Sequence, residues 1–135
     1  DVISVVGGCE ISDELKALLT DIQVNTQYLI TQKDRITSKK SRIIAAQQQV
    51  VRYDRESTDE ISNESQTQIL ASFKSIINNY DGVLLSDYGK GVLTFKLTQA
   101  IITLANENGK KVLIDPKGLD YSKYTGAYLL TQNEN

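Results

Sequence analysis

The chain has 135 residues, enough for one small domain with a core of its own. Its 15 Lys+Arg against 17 Asp+Glu leave a formal charge of −2, with 40% hydrophobic and 24% charged residues. That balance argues against disorder, a nucleic-acid partner and an anionic membrane surface. No apolar run approaches the ~18 residues of a transmembrane helix, and the lack of any His removes Ser-His-Asp and Cys-His catalysis and every His-containing metal site.

The first strand is expected over Val2 to Val6, where Asp1 heads an apolar stretch. With no Met in the sequence, the chain is expected to be a piece of a longer protein. Gly7-Gly8 makes a turn. Cys9, the single cysteine, allows no internal disulfide, fits a reducing cytosol, and reads as a half-buried small residue. Ser12 is the expected N-cap of a helix whose first turn holds Asp13 and Glu14. Leu15, Leu18, Leu19 and Ile22 follow on one apolar face. Tyr28-Leu29-Ile30 is a short strand.

Thr37 to Asp54 mixes Lys39, Lys40, Arg42, Gln47, Gln48, Gln49, Arg52 and Asp54 with Ile43, Ile44, Val50, Val51 and Tyr53. The β-branched residues predict two strands in a hairpin, although the turn chemistry is weak. One reading is a solvated strand pair whose charges block aggregation; the other is a surface whose side chains hydrogen-bond a polyol. After a polar connection, Arg55 to Glu64, a helix starts near Ser62. It carries the stripe Ile69, Leu70, Phe73, Ile76, Ile77 and Tyr80 and stops near Asn78-Asn79.

Gly82-Val83-Leu84-Leu85 is an unalternating apolar run, as in a strand buried on both faces. The loop Ser86-Asp87-Tyr88-Gly89-Lys90-Gly91 follows. A helix then runs from about Thr94 to Asn108, with Leu97, Ala100, Ile101, Leu104 and Ala105 on one face and Gly109 as its stop. Lys111 to Ile114 is a further buried strand, Asp115-Pro116-Lys117-Gly118 a second loop, and Ala127 to Leu130 a third strand after a polar stretch with Tyr121 and Tyr124. Strand, loop, helix and strand at these lengths make a βαβ crossover in a parallel sheet, so the fold class is α/β. The three strand-end clusters, the last being Thr131-Gln132-Asn133, should share one edge of the sheet, where α/β folds bind ligands. Lys90 and Lys117 on that edge suit the phosphates of a small molecule. The Walker A spacing and G-x-G-x-x-G are both absent.

Leu85-Ser86-Asp87-Tyr88-Gly89-Lys90-Gly91-Val92-Leu93-Thr94, Val112 to Gly118, and Tyr124 to Thr131 closely resemble the ribokinase-like, pfkB-type sugar kinases. Thr37, Lys40, Arg42 and Gln48 to Glu56 resemble the branch that acts on a heptose 7-phosphate in ADP-heptose synthesis. The resemblance covers essentially the whole chain. It implies part of a three-layer α/β domain with a mostly parallel sheet and a β-hairpin near the sugar site. It also implies transfer of the ATP γ-phosphoryl to the anomeric hydroxyl of D-glycero-β-D-manno-heptose 7-phosphate. The 1,7-bisphosphate formed would serve ADP-heptose and lipopolysaccharide core synthesis.

Carried over residue by residue, the resemblance implies that Lys40, Arg42, Gln48, Gln49 and Arg52 approach the sugar and that Asp87, Tyr88 and Lys90 lie beside the sugar and the transferring phosphate. Lys117 and Asn133 match groups that serve Mg²⁺–ATP. The implied cofactors are ATP and Mg²⁺, the implied setting a cytoplasmic homodimer with no nucleic-acid or membrane partner.

The sequence also departs from the family. Gln132 stands where the family has Pro, the Gly-Ala-Gly-Asp motif with the catalytic base is absent, and Gly7-Gly8-Cys9-Glu10 does not match Gly-Gly-Ala-x-Asn. No catalytic residue and no metal ligand is therefore assigned within these 135 residues; the resemblance implies an internal fragment of a ribokinase-like kinase domain, cut at both ends, and the chain alone is expected to be inactive. The alternatives are another pfkB-type sugar kinase, a flavodoxin-like binding module with Asp87 and Asp115 in an acidic pocket, or a scaffold that dimerises through the Thr37–Asp54 strands.

Overall fold

A computed structural model describes residues 1–131. The chain divides between Thr58 and Asp59 into two units. In the first, strand β1 (Ser4–Val6), helix α1 (Glu10–Asp21) and strand β2 (Leu29–Thr31) form a βαβ crossover. The strands run parallel, Ser4 opposite Leu29 and Val6 opposite Thr31. Val5, Val6 and Leu29 are buried there. β1 is shorter than the apolar run Val2–Val6, because only Ser4 to Val6 find partners on β2. Strands β3 (Lys39–Ala45) and β4 (Gln48–Arg55) follow as the expected antiparallel hairpin.

Helix α1 corrects the sequence reading. Its N-cap is Cys9, which makes no side-chain cap bond, and Cys9 is exposed rather than half-buried. Ser12 sits inside the first turn, only 2% exposed. Its hydroxyl donates to the Gly7 carbonyl (2.6 Å) and so accepts from the Thr37 hydroxyl (2.7 Å), while Thr37 Oγ1 accepts from the Gly7 N–H (2.7 Å). A closed ring of buried hydrogen bonds competes better for Ser12 than a solvated cap does. The ring fastens the end of β1 to the base of the hairpin. Of the expected apolar face, Leu18 and Ile22 remain exposed.

The second unit begins with helix α2 (Asn63–Ile76), continued by a 3₁₀ turn, Ile77–Asn79. Its N-cap is Ser62, whose hydroxyl accepts from the Ser65 N–H at 3.1 Å. Strand β5 (Gly82–Ser86), helix α3 (Phe95–Glu107) and strand β6 (Lys111–Asp115) make the predicted crossover. Thr94 caps α3 by accepting from the Leu97 N–H (3.1 Å). A 3₁₀ turn, Ser122–Tyr124, leads to the short strand β7 (Leu129–Leu130). The sheet order is β5-β6-β7, all parallel.

Leu85, Val112 and Ile114 are buried on one face of that sheet, together with Leu97, Ile101, Ile102 and Ala105 of α3 and Ile69, Phe73 and Ile76 of α2. Each large side chain so buried contributes about 1.5–3 kcal/mol. The opposite face differs from expectation: Leu84, on an apolar run that read as doubly buried, is 66% exposed, and Leu129 is exposed beside Leu113. Among the described residues no helix is long and apolar enough to cross a membrane.

Candidate functional site

The parallel sheet of the second unit brings the strand-end loops together as the sequence predicts. The chain leaves β5 at Ser86, and the Asp87 N–H donates to the Asp115 carbonyl (2.8 Å), extending the ladder one residue past the strand. A Cβ on Gly89 would lie 3.3 Å from Lys117 Cγ, so the first and second loops touch. Thr131 enters the same edge, its N–H donating to the Ile114 carbonyl at 2.8 Å. Tyr88 is 64% exposed and Lys117 is exposed, while Lys90 is half-buried. Asn133, matched to Mg²⁺–ATP, lies outside the described residues.

Asp87, expected beside the sugar and the transferring phosphate, stands immediately after the end of β5. It is 6% exposed, and both carboxylate oxygens are engaged inside the unit. Oδ1 accepts from the Gly89 N–H (2.8 Å); Oδ2 accepts from the Tyr124 hydroxyl (2.7 Å) and pairs with Lys123 Nζ (2.5 Å). Burial pushes this carboxyl up, but Lys123, the Gly89 N–H and the Tyr124 hydroxyl together outweigh it and hold the pKa below the usual carboxylate range. Burial and the Asp87 carboxylate in turn push the Tyr124 phenol well up, so it stays a donor. Lys123 lies outside every motif, and Tyr124, though it opens the Tyr124–Thr131 stretch, carries no sign in the sequence that it would reach Asp87.

In the first unit, the hairpin register sorts its polar residues by face. Lys40 opposes Asp54, Arg42 opposes Arg52, and Ile44 opposes Gln49, so these side chains share one face. Gln48 opposes Ala45 and falls on the other face, with Ile43, Val51 and Tyr53. The register shifts between Ile43 and Ile44, which leaves Val50 as the extra residue of a bulge. Without it Gln49 and Arg52, three positions apart, would point to opposite faces.

The two residues of the connecting turn, Ala46 and Gln47, have φ of 47° and 68°. This is the backbone of a tight hairpin turn built without Gly or Asn, which is why the sequence signal was weak. Arg52 grips Asp54 on its own strand, Nε lying 3.0 Å from each carboxylate oxygen. That hydrogen bond, then the charges of Arg52, Lys40 and Arg42, hold the Asp54 carboxyl below its ordinary range against a smaller opposing effect of desolvation. Arg42 and Arg52 face each other as like charges on exposed strands, with the Asp54 carboxylate offsetting part of their repulsion.

The whole chain, residues 1–135, matches the family model described as pfkB family carbohydrate kinase. The chain belongs to the pfkB family of carbohydrate kinases. It is 57% identical over 134 residues to the bifunctional protein HldE of Aliarcobacter butzleri, covering 99% of this chain and 28% of that protein. The HldE proteins of Sulfurimonas denitrificans and Campylobacter fetus are 55% and 53% identical, each over 98% of this chain, with 28% and 29% of their own length covered. The chain thus spans under a third of these relatives. A solved structure, "Crystal Structure of Sa239", shares the fold at a TM-score of 0.70 with 16% identity, over 95% of this chain and 41% of that one. Family membership sets the flavodoxin-like alternative aside. It agrees with the α/β reading, and the strand-end edge and the hairpin are the two places where this pfkB chain gathers phosphate-binding side-chain types.

Proposed function

We propose that the protein carrying this chain transfers the γ-phosphoryl group of ATP to the anomeric hydroxyl of D-glycero-β-D-manno-heptose 7-phosphate. The product is the 1,7-bisphosphate, a precursor of ADP-heptose and lipopolysaccharide core. The observation that carries a phosphorylated rather than a free sugar is the hairpin face. There Lys40, Arg42 and Arg52 stand with a single carboxylate, Asp54, and two arginines directly oppose each other. A sugar-borne phosphate between Arg42 and Arg52 turns that repulsion into two charge-assisted contacts. Gln49 on the same face suits a sugar hydroxyl. Gln48, on the opposite face, takes no part in this binding.

On the sheet edge, Tyr88 and Lys90 serve the sugar and the transferring phosphate, and Lys117 the nucleotide phosphates. Phosphoryl transfer of this kind is positioning plus charge neutralisation, for which lysines and backbone N–H groups suffice on the protein side. Mg²⁺ bound to the ATP phosphates would supply charge neutralisation, with Lys117 beside those phosphates. Among the described residues no group of three potential metal ligands occurs. The matching of Asn133 to Mg²⁺–ATP belongs to the same reading. So do a cytoplasmic setting and a homodimer, for which the exposed hairpin face of Ile43, Val51 and Tyr53 offers an apolar surface.

The test is ADP release by the full-length protein with ATP, Mg²⁺ and a panel of sugars. The expected kcat/KM for heptose 7-phosphate is at least tenfold above that for free heptose or any hexose phosphate. Preference for a hexose phosphate makes the protein another pfkB-type kinase and overturns this reading.

A further inference from the structure

The loop between β5 and α3 is clamped at both ends by one side chain that no motif contains. Lys123 Nζ pairs with Asp87 Oδ2 (2.5 Å) at the start of the loop and donates to the Leu93 carbonyl (3.1 Å) at its end. The Tyr124 hydroxyl adds a second bond to Asp87 Oδ2 (2.7 Å), and Tyr124 is 1% exposed. The clamp is itself held. Gln99 of α3 donates from Nε2 to the Lys123 carbonyl (2.7 Å) and to the Thr125 carbonyl (3.2 Å), and Asn106 donates to the Gly126 carbonyl (3.0 Å). A rigid helix therefore positions the 3₁₀ turn, and the turn positions the loop. Between the clamped ends lie Tyr88 to Val92, with two glycines at φ of 65° and 77° flanking Lys90. Such a segment does not hold one shape by local preference alone.

We propose that Lys123 and Tyr124 are positioning residues for phosphoryl transfer, acting through Asp87 and the Leu93 carbonyl to fix where Tyr88, Lys90 and the loop N–H groups meet the substrate. The proposal rests on the kinase reading above. The alternative is that the cluster only adds stability to the fold, and the two differ in what they do to fully folded enzyme. A displacement of about 1 Å at a group that meets the reacting atoms costs about 100-fold in rate, whereas lost stability alone leaves kcat unchanged well below Tm.

The experiment uses the full-length protein with Tyr124→Phe, Lys123→Met and Lys123→Arg, assayed at 25 °C after thermal melts show each fully folded, with amide exchange of Gly89 followed in parallel. Tyr124→Phe is expected to lower kcat about tenfold and Lys123→Met about 100-fold. KM for ATP should stay within twofold, and Gly89 exchange should be at least tenfold faster in both. Lys123→Arg, which keeps a cation against Asp87, is expected to recover kcat to within tenfold of wild type. If Lys123→Met fails to fold, Tyr124→Phe and Lys123→Arg decide the matter. Folded variants with kcat within twofold of wild type, or Gly89 exchange unchanged, overturn the proposal. A wild-type protein with no sugar kinase activity refutes the kinase reading instead, and Gly89 exchange then still decides whether the clamp exists.

Discussion

Gly91→Ala is the substitution whose cost the structure sets most directly. Gly91 has φ of 77°, and a Cβ added there would lie 2.0 Å from the Asp59 carbonyl oxygen, 2.5 Å from its carbon and 2.9 Å from the Glu60 nitrogen. The left-handed backbone alone costs an alanine about 1 kcal/mol. An ordinary close C···O approach is about 3.3 Å, so the Asp59–Glu60 backbone must retreat by about 1 Å. That retreat breaks the bond from the Ile61 N–H to the Gly91 carbonyl (3.0 Å), worth about 1 kcal/mol. It also loosens Ile61, which is buried and contributes about 1.5–3 kcal/mol when fully covered. The local loss is about 3 kcal/mol, equivalent to roughly 100-fold in an opening equilibrium.

The assay is native-state amide exchange at Ile61, expected to be about 100-fold faster in Gly91→Ala. Gly118→Ala is the control: its φ is 82°, but an added Cβ meets nothing within 4 Å. Only the backbone cost remains, about 1 kcal/mol. Equal exchange at Ile61 in Gly91→Ala and wild type, or equal effects of the two substitutions on Tm, would refute the reasoning.

Three further outcomes follow from the same geometry. Thr98 is fully buried on α3, and its hydroxyl has no hydrogen-bond partner among the described residues; Thr98→Val should therefore raise stability by about 1 kcal/mol, read as a higher urea midpoint. On the proposed reading, in which the hairpin face binds a phosphate remote from the transferred group, Arg42→Ala should raise KM for the sugar phosphate at least tenfold while kcat changes less than threefold; an unchanged KM counts against the hairpin. The depressed Asp87 carboxyl adds stability that is complete above its unfolded pKa and is lost as pH falls through the lower folded value. The stability gap between wild type and Asp87→Asn should hold constant from about pH 5 to 7 and narrow only below about pH 4, in denaturant melts run at each pH.

Both helices of the second unit were legible because local chemistry and the tertiary fold agree on them. The Ser62 and Thr94 hydroxyls accept the capping N–H bonds where the helices begin, and the stripes through Ile69, Phe73 and Ile76 and through Leu97, Ile101 and Ala105 are the buried faces. The parallel sheet was legible from apolar runs ending in polar loops. Ser12 misled because a buried partner, Thr37, lies 25 residues away in the chain. The hairpin's register was hidden by a turn of Ala46 and Gln47 and by a bulge that no residue type announces, so the separation of Gln48 from Gln49, Arg42 and Arg52 emerged only from the pairing. Asp87 stands out in its motif, but the sequence does not show what holds it. Its partners Lys123 and Tyr124 sit in a polar stretch, and only the crossover through α3 brings them to the end of β5.

The most direct test of the account is the position of the new phosphate. The full-length protein is incubated with ATP, Mg²⁺ and D-glycero-D-manno-heptose 7-phosphate, and the product is followed by ³¹P NMR with proton coupling. The account predicts a second sugar phosphate signal coupled to the anomeric proton, growing in step with ADP. Unchanged ATP, or a new phosphate coupled to any other sugar proton, would contradict it.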